Sequence, residues 1–375
     1  MLNTYDGIPD LNFTVGHPLQ VEDFGELKPV FVDPPIEQLT PFQTEQIALA
    51  LIGGKRRLLR DYLLAGSCDC SYSLANLARF RVNIFRQQGQ FSIVMRRLQA
   101  VIPTIQHLNL PPIFREIATE KTGLILVTGA TGTGKTSTLA AILDEINNTQ
   151  SVHVVTLEDP IEFVHPASRA TFNQRELGHD FDNYPNGLRA ALRQAPKIIF
   201  VGEMRDRATV EVALMAAETG HLVLSTLHTV DAGQTINRIL GLFSLGEEQQ
   251  LRLRLADSLR YIVSQRLVPK VGGGRHLITE VMGHNLRTRE SVALGEGENR
   301  SFYEIIEASA PFGWTTFDQS IMTSYEAGLI TEDTARHFAS KPGRVTRGID
   351  LSNKRRGVET NQADGLRLDR FAGNR

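Results

Sequence analysis

Gly129-Ala130-Thr131-Gly132-Thr133-Gly134-Lys135-Thr136 matches the pattern G-x-x-x-x-G-K-[ST]. It follows the apolar run Leu124 to Val127 and precedes a segment in which Leu139, Ile142, Leu143 and Ile146 recur at helical spacing. Placed between a strand and a helix, the glycines let successive backbone N–H groups curl towards an anion at the positive end of the helix. Lys135 would then reach the β- and γ-phosphate oxygens, the Thr136 hydroxyl would ligate Mg²⁺, and Ser137 completes the nucleotide-binding stretch. The loop points to a nucleoside triphosphate with Mg²⁺; it does not separate a motor from a kinase or a switch.

Carboxylates follow two further apolar runs. Val152 to Leu157 leads into Glu158-Asp159-Pro160-Ile161-Glu162, which places three acids at the C-terminal edge of a parallel sheet, where such sheets bind ligands. There they can hold waters of the Mg²⁺ shell, as expected of Glu158 and Asp159, or polarise an attacking water. Ile198-Ile199-Phe200-Val201-Gly202-Glu203 ends in a carboxylate but carries Gly202 where many phosphate-loop enzymes place a metal-binding Asp, so Glu203 would act on water. His221 and His228 bracket the run Leu222 to Ser225; a spacing of seven puts their rings on opposite faces of a strand, which argues against a shared metal. Cys68 and Cys70 alternate with Tyr72 and Leu74 like one face of a strand, with too few neighbouring ligands for zinc.

The elements that must position these groups fall into several regions. Residues 1–100 read as a small α+β domain, with strand candidates at Leu11 to Val15 and Pro29 to Val32 and one helical stretch from Thr44 to Leu64. A hairpin follows, from Arg79 to Phe85 and Phe91 to Leu98, turning at Gln87 to Gln90. Pro103, Pro111 and Pro112 mark residues 101–112 as a linker. From 113 to 280, apolar strands alternate with helices, including the series Thr209, Val212, Ala213, Ala216 and Ala217 with Gly220 as its stop, which is the signature of an α/β core. Residues 281–340 read as a helical region. The stretch 341–375, with nine Lys/Arg against four Asp/Glu, reads as a disordered basic tail.

A formal charge of −2 gives no global basic field for nucleic acid, and no nucleic-acid partner is expected. The absence of an apolar stretch near the ~20 residues a bilayer span needs, and of a signal-like N-terminus, predicts a cytoplasmic protein.

Taken in order, GATGTGKTST, TLEDPIEF, NQRELG, ALRQAPKIIFVGEMRD and ETGHLVLSTLHT resemble the motifs of the secretion-superfamily ATPases, and most closely the type IV pilus retraction branch typified by PilT and PilU, over roughly residues 7 to 340. The resemblance implies a RecA-like core, a PAS-like N-terminal domain and a homo-hexameric ring using ATP and Mg²⁺. It implies catalytic roles for Glu203 and Glu162, arginines Arg81 and Arg96 reaching the γ-phosphate, an Asp box at Glu158, Asp159 and Glu162, and a nucleotide-sensing His box at His221 and His228. Its partners would be an inner-membrane pilus platform protein and a paralogous retraction ATPase, with the ring peripheral to the inner face of the cytoplasmic membrane.

The chain opens within the region resembling the family's first strand, Ile8 to Asn12, which implies a missing first helix or a start farther upstream. Where retraction enzymes often carry A-I-R-N-L-I, this chain reads GHNLRTRESVAL. A pilus-assembly or secretion ATPase would usually add a four-cysteine zinc insert, and a non-hydrolysing scaffold would be free to lose Lys135, Thr136 and Glu203; this chain has two cysteines and keeps all three residues.

Overall fold

The computed structural model describes residues 10–23, 26–74, 77–98, 101–297 and 301–356. The chain divides into two compact units, one of residues 1–124 and 136–226, the other of residues 125–135 and 227–375.

In the first unit, strands β1 (Asp10–Phe13), β2 (Gln20–Asp23) and β3 (Glu26–Pro29) precede two helices, α1 (Pro41–Ile52) and α2 (Arg56–Ala65). Strands β4 (Ser67–Leu74), β5 (Ala78–Gln87) and β6 (Gln90–Leu98) complete an antiparallel sheet of order β3-β2-β1-β6-β5-β4. The single helix expected from 44 to 64 is two: Gly53 and Gly54 both take positive φ, 56° and 69°, a left-handed step that ends α1 before α2 begins.

The hairpin of β5 and β6 turns on Gln88 and Gly89, both at positive φ, as a two-residue turn requires. Along β5, Phe80, Val82 and Ile84 are buried with Cys68, Cys70, Leu58 and Tyr62, so Arg79 and Arg81 stand on the opposite face. Cys68 and Cys70 thus belong to the core of this sheet, where burial pushes both thiols up to about 11.

After α3 (Ile113–Thr119) comes the core, with strands β7 (Gly123–Thr128), β8 (His153–Glu158), β9 (Thr171–Glu176), β10 (Ile198–Val201) and β11 (Leu222–Leu227) interleaved with helices α4 (Lys135–Thr149), α5 (Tyr184–Ala191) and α6 (Arg207–Glu218). β9, β8, β10 and β11 pair in parallel, and β8, β10 and β11 are almost wholly buried, as their uninterrupted apolar composition requires. Parallel pairing brings the C-terminal ends of these strands, and hence Glu158, Glu176 and the residues after Val201, to one edge.

In the second unit, α7 (Ala232–Leu240) and α8 (Glu248–Ser258) lead to an antiparallel pair, β12 (Leu259–Pro269) and β13 (Arg275–Met282). Hydrogen bonds order the seven strands β13-β12-β7-β11-β10-β8-β9. Four helices follow, α9 (Leu286–Leu294), α10 (Phe302–Ala308), α11 (Phe317–Glu326) and α12 (Glu332–Phe338).

The expectation of a disordered tail from 341 fails over its first part. Pro342–Arg355 form α13, with Val345 and Ile349 buried against Val268, Phe317, Ile321 and Ile330. Two apolar side chains four residues apart suffice to seat a helix whose other positions are charged or small. The remainder of that stretch, 357–375, lies outside the described residues.

Candidate nucleotide site

Residues 129–134 join β7 to α4, and three of their glycines take positive φ. At Gly129 the constraint is also one of space, since a Cβ there would stand 2.6 Å from the Gln265 carbonyl oxygen and from Thr133 Oγ1. Thr133 Oγ1 in turn donates to the Ala130 carbonyl. Thr131 and Gly132 are exposed at the tip of the loop, while Lys135 is buried and its Nζ donates to the carbonyls of Gly129 (2.8 Å) and Ala130 (3.0 Å). His228 Nδ1 lies 3.5 Å from the same ammonium. Beneath the loop the Thr128 hydroxyl donates to Ser264 Oγ at 3.0 Å.

In the first unit, α4 continues with Thr136 and Ser137, and the Thr136 hydroxyl favours the ionised form of Glu162. Burial raises the Glu162 carboxyl above its ordinary value, against the opposing field of Arg81. Asp159 is raised for the same reason and opposed by Arg81 and Arg205.

Glu158 lies deeper. Its Oε1 accepts from Thr156 Oγ1 (2.6 Å) and Gln174 Nε2 (3.2 Å), yet burial still pushes it up to about 7.

Glu203, two residues past β10, pairs with Arg205 at 2.8 Å. Its loop is tied to β11, for Thr226 Oγ1 donates to the Gly202 carbonyl and the Met204 amide to the Thr226 carbonyl. The glycine at 202 has a packing reason, because a Cβ there would meet the Tyr184 hydroxyl at 3.1 Å and the Leu157 carbonyl at 3.2 Å. Any side chain at that position would require both neighbours to give by a few tenths of an ångström.

Two expected site residues are placed elsewhere. His221 precedes β11, whereas Glu158 ends β8 and Glu203 follows β10 at the opposite edge of the parallel strands; a six-residue strand separates the two edges, roughly 20 Å. The His221 ring is held locally, with Nδ1 3.0 Å from the Ala216 carbonyl. Of the two histidines of the expected box, His228 stands at the phosphate loop. Arg96 pairs opposite Arg81 across β5 and β6, but its guanidinium is engaged by both carboxylate oxygens of Asp10 at 2.9–3.3 Å.

Sequence reading missed several groups that complete the acidic cluster. Arg205 and Gln174 sit inside motifs quoted above, where a pairing partner for Glu203 and a donor to Glu158 could have been sought. Arg79, seen only as a neighbour of Arg81, places Nη2 3.7 Å from Glu176. Tyr184 carried no signal at all.

The donors present suit a nucleoside triphosphate with a hard cation. A buried ammonium lies over a glycine loop, and the Thr136 hydroxyl offers lone pairs to a metal. Among the described residues no three His, Cys, Asp or Glu side chains form a metal cluster of their own, so a cation here would depend on Thr136, phosphate oxygens and water.

A parallel sheet whose strand ends carry this loop and these carboxylates defines a P-loop ATPase of the RecA-like class. The family model of type II/IV secretion system proteins matches residues 72–302, more than half of the chain. The chain belongs to this family, on its PilT/PilU-like branch. It is 37% identical to the type IV pilus retraction ATPase PilT of Pseudomonas aeruginosa over 336 residues, covering 90% of this chain and 95% of that one. It is 36% identical to the type IV pilus ATPase PilU of the same organism, covering 89% and 86%. A crystal structure of the pilus retraction motor PilT with bound ADP superposes with a TM-score of 0.80 at 40% identity, covering 91% of this chain and 96% of that one.

Proposed function

We propose that this chain is an ATP-hydrolysing motor that works as a homo-hexamer and powers type IV pilus retraction and twitching motility, as a main or accessory retraction ATPase. The observation that carries the reading is the acidic cluster Glu158, Asp159 and Glu162 at and just after the C-terminal end of β8, faced by Arg81 of the N-terminal sheet. A mere nucleotide switch needs the loop; a hydrolase also needs carboxylates arranged around it.

In this mechanism the loop amides and Lys135 hold the β- and γ-phosphates. Thr136 would ligate a Mg²⁺ bound with ATP and Glu158 and Asp159 would hold its waters, and the ion would supply neutralisation of the phosphate charge. Glu203 orients the attacking water and accepts its proton, and Arg205 at 2.8 Å holds its carboxylate in place. Arg81, carried by the N-terminal sheet, faces the acids that surround the departing phosphate, so a change of phosphate charge is felt by a whole domain.

Among the described residues no helix is long and apolar enough to cross a membrane, and the ring is proposed to dock on the cytoplasmic face through a pilus platform protein, beside a paralogous ATPase.

Phosphate release by the wild-type protein and by Glu203→Gln, each with and without plasmid DNA, tests the reading. Magnesium-dependent release that the substitution abolishes supports it. Absence of release by the wild type would sink the motor, and strong stimulation by DNA would point to a nucleic-acid translocase. Deleting the gene should then abolish twitching or leave cells hyperpiliated.

A further inference from the structure

Glu176 ends β9, level with Glu158 at the end of β8, and is buried although none of the roles above uses it. Its two oxygens face two different parts of the chain. Oε1 accepts from Ser71 Oγ of β4 at 2.6 Å, whereas Oε2 accepts from the backbone amide of Ile161, between Asp159 and Glu162, at 3.3 Å. Arg79 of β5 approaches Oε2 at 3.7 Å, and its Nη1 is buried without a hydrogen-bond partner among the described residues. Its own backbone is fixed, because the Glu176 amide donates to Asp180 Oδ2 at 2.8 Å.

The N-terminal domain grips the same turn twice more. Arg57 Nε donates to the Gly178 carbonyl at 3.2 Å and Lys55 Nζ lies 2.7 Å from His179 Nε2. Ser71 and Arg81 are direct cross-strand partners, so the strand that touches Glu176 sits beside the one that presents Arg81 to Asp159 and Glu162.

We infer that Glu176 is a positioning residue that transmits the placement of the N-terminal sheet to the acidic loop 158–162, and through it to Glu162. A rigid carboxylate with one oxygen on each partner makes the two move together. If the sheet shifts, either the short Ser71 bond or the longer Ile161 bond must break, in a buried setting where an unmade bond is costly. Arg81 reports the phosphate to the sheet, and Glu176 returns the position of the sheet to the acids. The inference rests on the ATPase reading for its consequence in turnover, but not for its structural reporter, the Ile161 amide.

Hydrogen–deuterium exchange of peptides covering 158–163 in the full-length protein is the direct test. Ser71→Ala, which removes one hydroxyl in the N-terminal sheet and nothing in the acidic loop, should speed exchange there by roughly two- to tenfold. Glu176→Ala should do so at least as strongly, and the double variant should add nothing to it. Glu176→Gln should restore protection, because its amide can donate to Ser71 Oγ while its carbonyl accepts from Ile161.

In the same proteins kcat should fall for Ser71→Ala and Glu176→Ala, while affinity for a fluorescent ATP analogue stays within about twofold. Unchanged exchange in Ser71→Ala overturns the link. Faster exchange with wild-type kcat overturns the positioning role. Should the wild type release no phosphate, the motor reading fails while the exchange measurement still decides whether the sheet and the loop are coupled.

Discussion

Glu158 is a carboxyl group whose folded surroundings oppose its charge, and the consequence for pH has a definite sign. Its value rises from 4.5 to about 7 on burial, so folding favours the protonated form. That contribution is fully present below pH 4.5 and is lost as pH rises through about 7, on the order of 3 kcal/mol if the shift acts alone. Glu158→Gln keeps an oxygen for the Thr156 and Gln174 donors and cannot ionise. Denaturant titrations from pH 5 to 8 should therefore show a shallower fall in stability for the variant than for the wild type. An identical slope would mean that the Glu158 site is wetter than its geometry implies. At Glu203 the expected effect is on chemistry: Glu203→Gln should lower turnover at least ~100-fold while nucleotide binding persists, measured by phosphate release and by binding of a fluorescent ATP analogue. Lys135 and Thr136 were legible in the sequence because one short backbone geometry fixes their spacing, and Glu203 because it follows an unbroken apolar strand. Tyr184, Arg79 and Glu176 were not, since each reaches its partner from an element distant in the chain.

At the scale of elements, what was legible followed apolar continuity. β7, β8, β10 and β11 are buried on both faces and so appear as unbroken apolar runs, found within a residue or two of their ends. β9 went unseen because it is the edge strand of its sheet, half exposed, with the polar sequence TFNQRE. α13 was hidden by the opposite bias, a basic composition that masks two anchoring side chains. If those anchors hold it, Ile349→Ala should cost about 2–5 kcal/mol in urea unfolding, whereas a disordered segment would lose nothing. The phosphate loop is an element in the same sense. Gly129→Ala places a methyl group 2.6 Å from two oxygens, and the displaced loop should lower turnover by up to ~100-fold without unfolding the chain, checked by circular dichroism alongside phosphate release.

For the whole molecule, two arginines of the N-terminal sheet have different surroundings. The family resemblance gave Arg81 and Arg96 the same task, and their cross-strand pairing made that reasonable. Their partners separate them. Arg96 is committed to Asp10 within its own sheet, an interaction that raises the guanidinium's pKa further through that hydrogen bond, whereas Arg81 acts on Asp159 and Glu162. A motor that converts phosphate charge into domain movement needs a cation on the moving domain that is not already neutralised there. Arg81→Ala should therefore reduce kcat tenfold or more, a modest fraction of what ~10³-fold arginine fingers supply elsewhere, and should leave thermal stability near that of the wild type. Arg96→Ala should leave kcat within about twofold and lower stability by roughly 0.5–1 kcal/mol, the scale of a partly exposed ion pair. Measured together as phosphate release and melting temperature, the two variants should show opposite profiles. A loss of turnover in Arg96→Ala equal to that in Arg81→Ala would mean that the Asp10 pair opens during the cycle and that both arginines reach the phosphate.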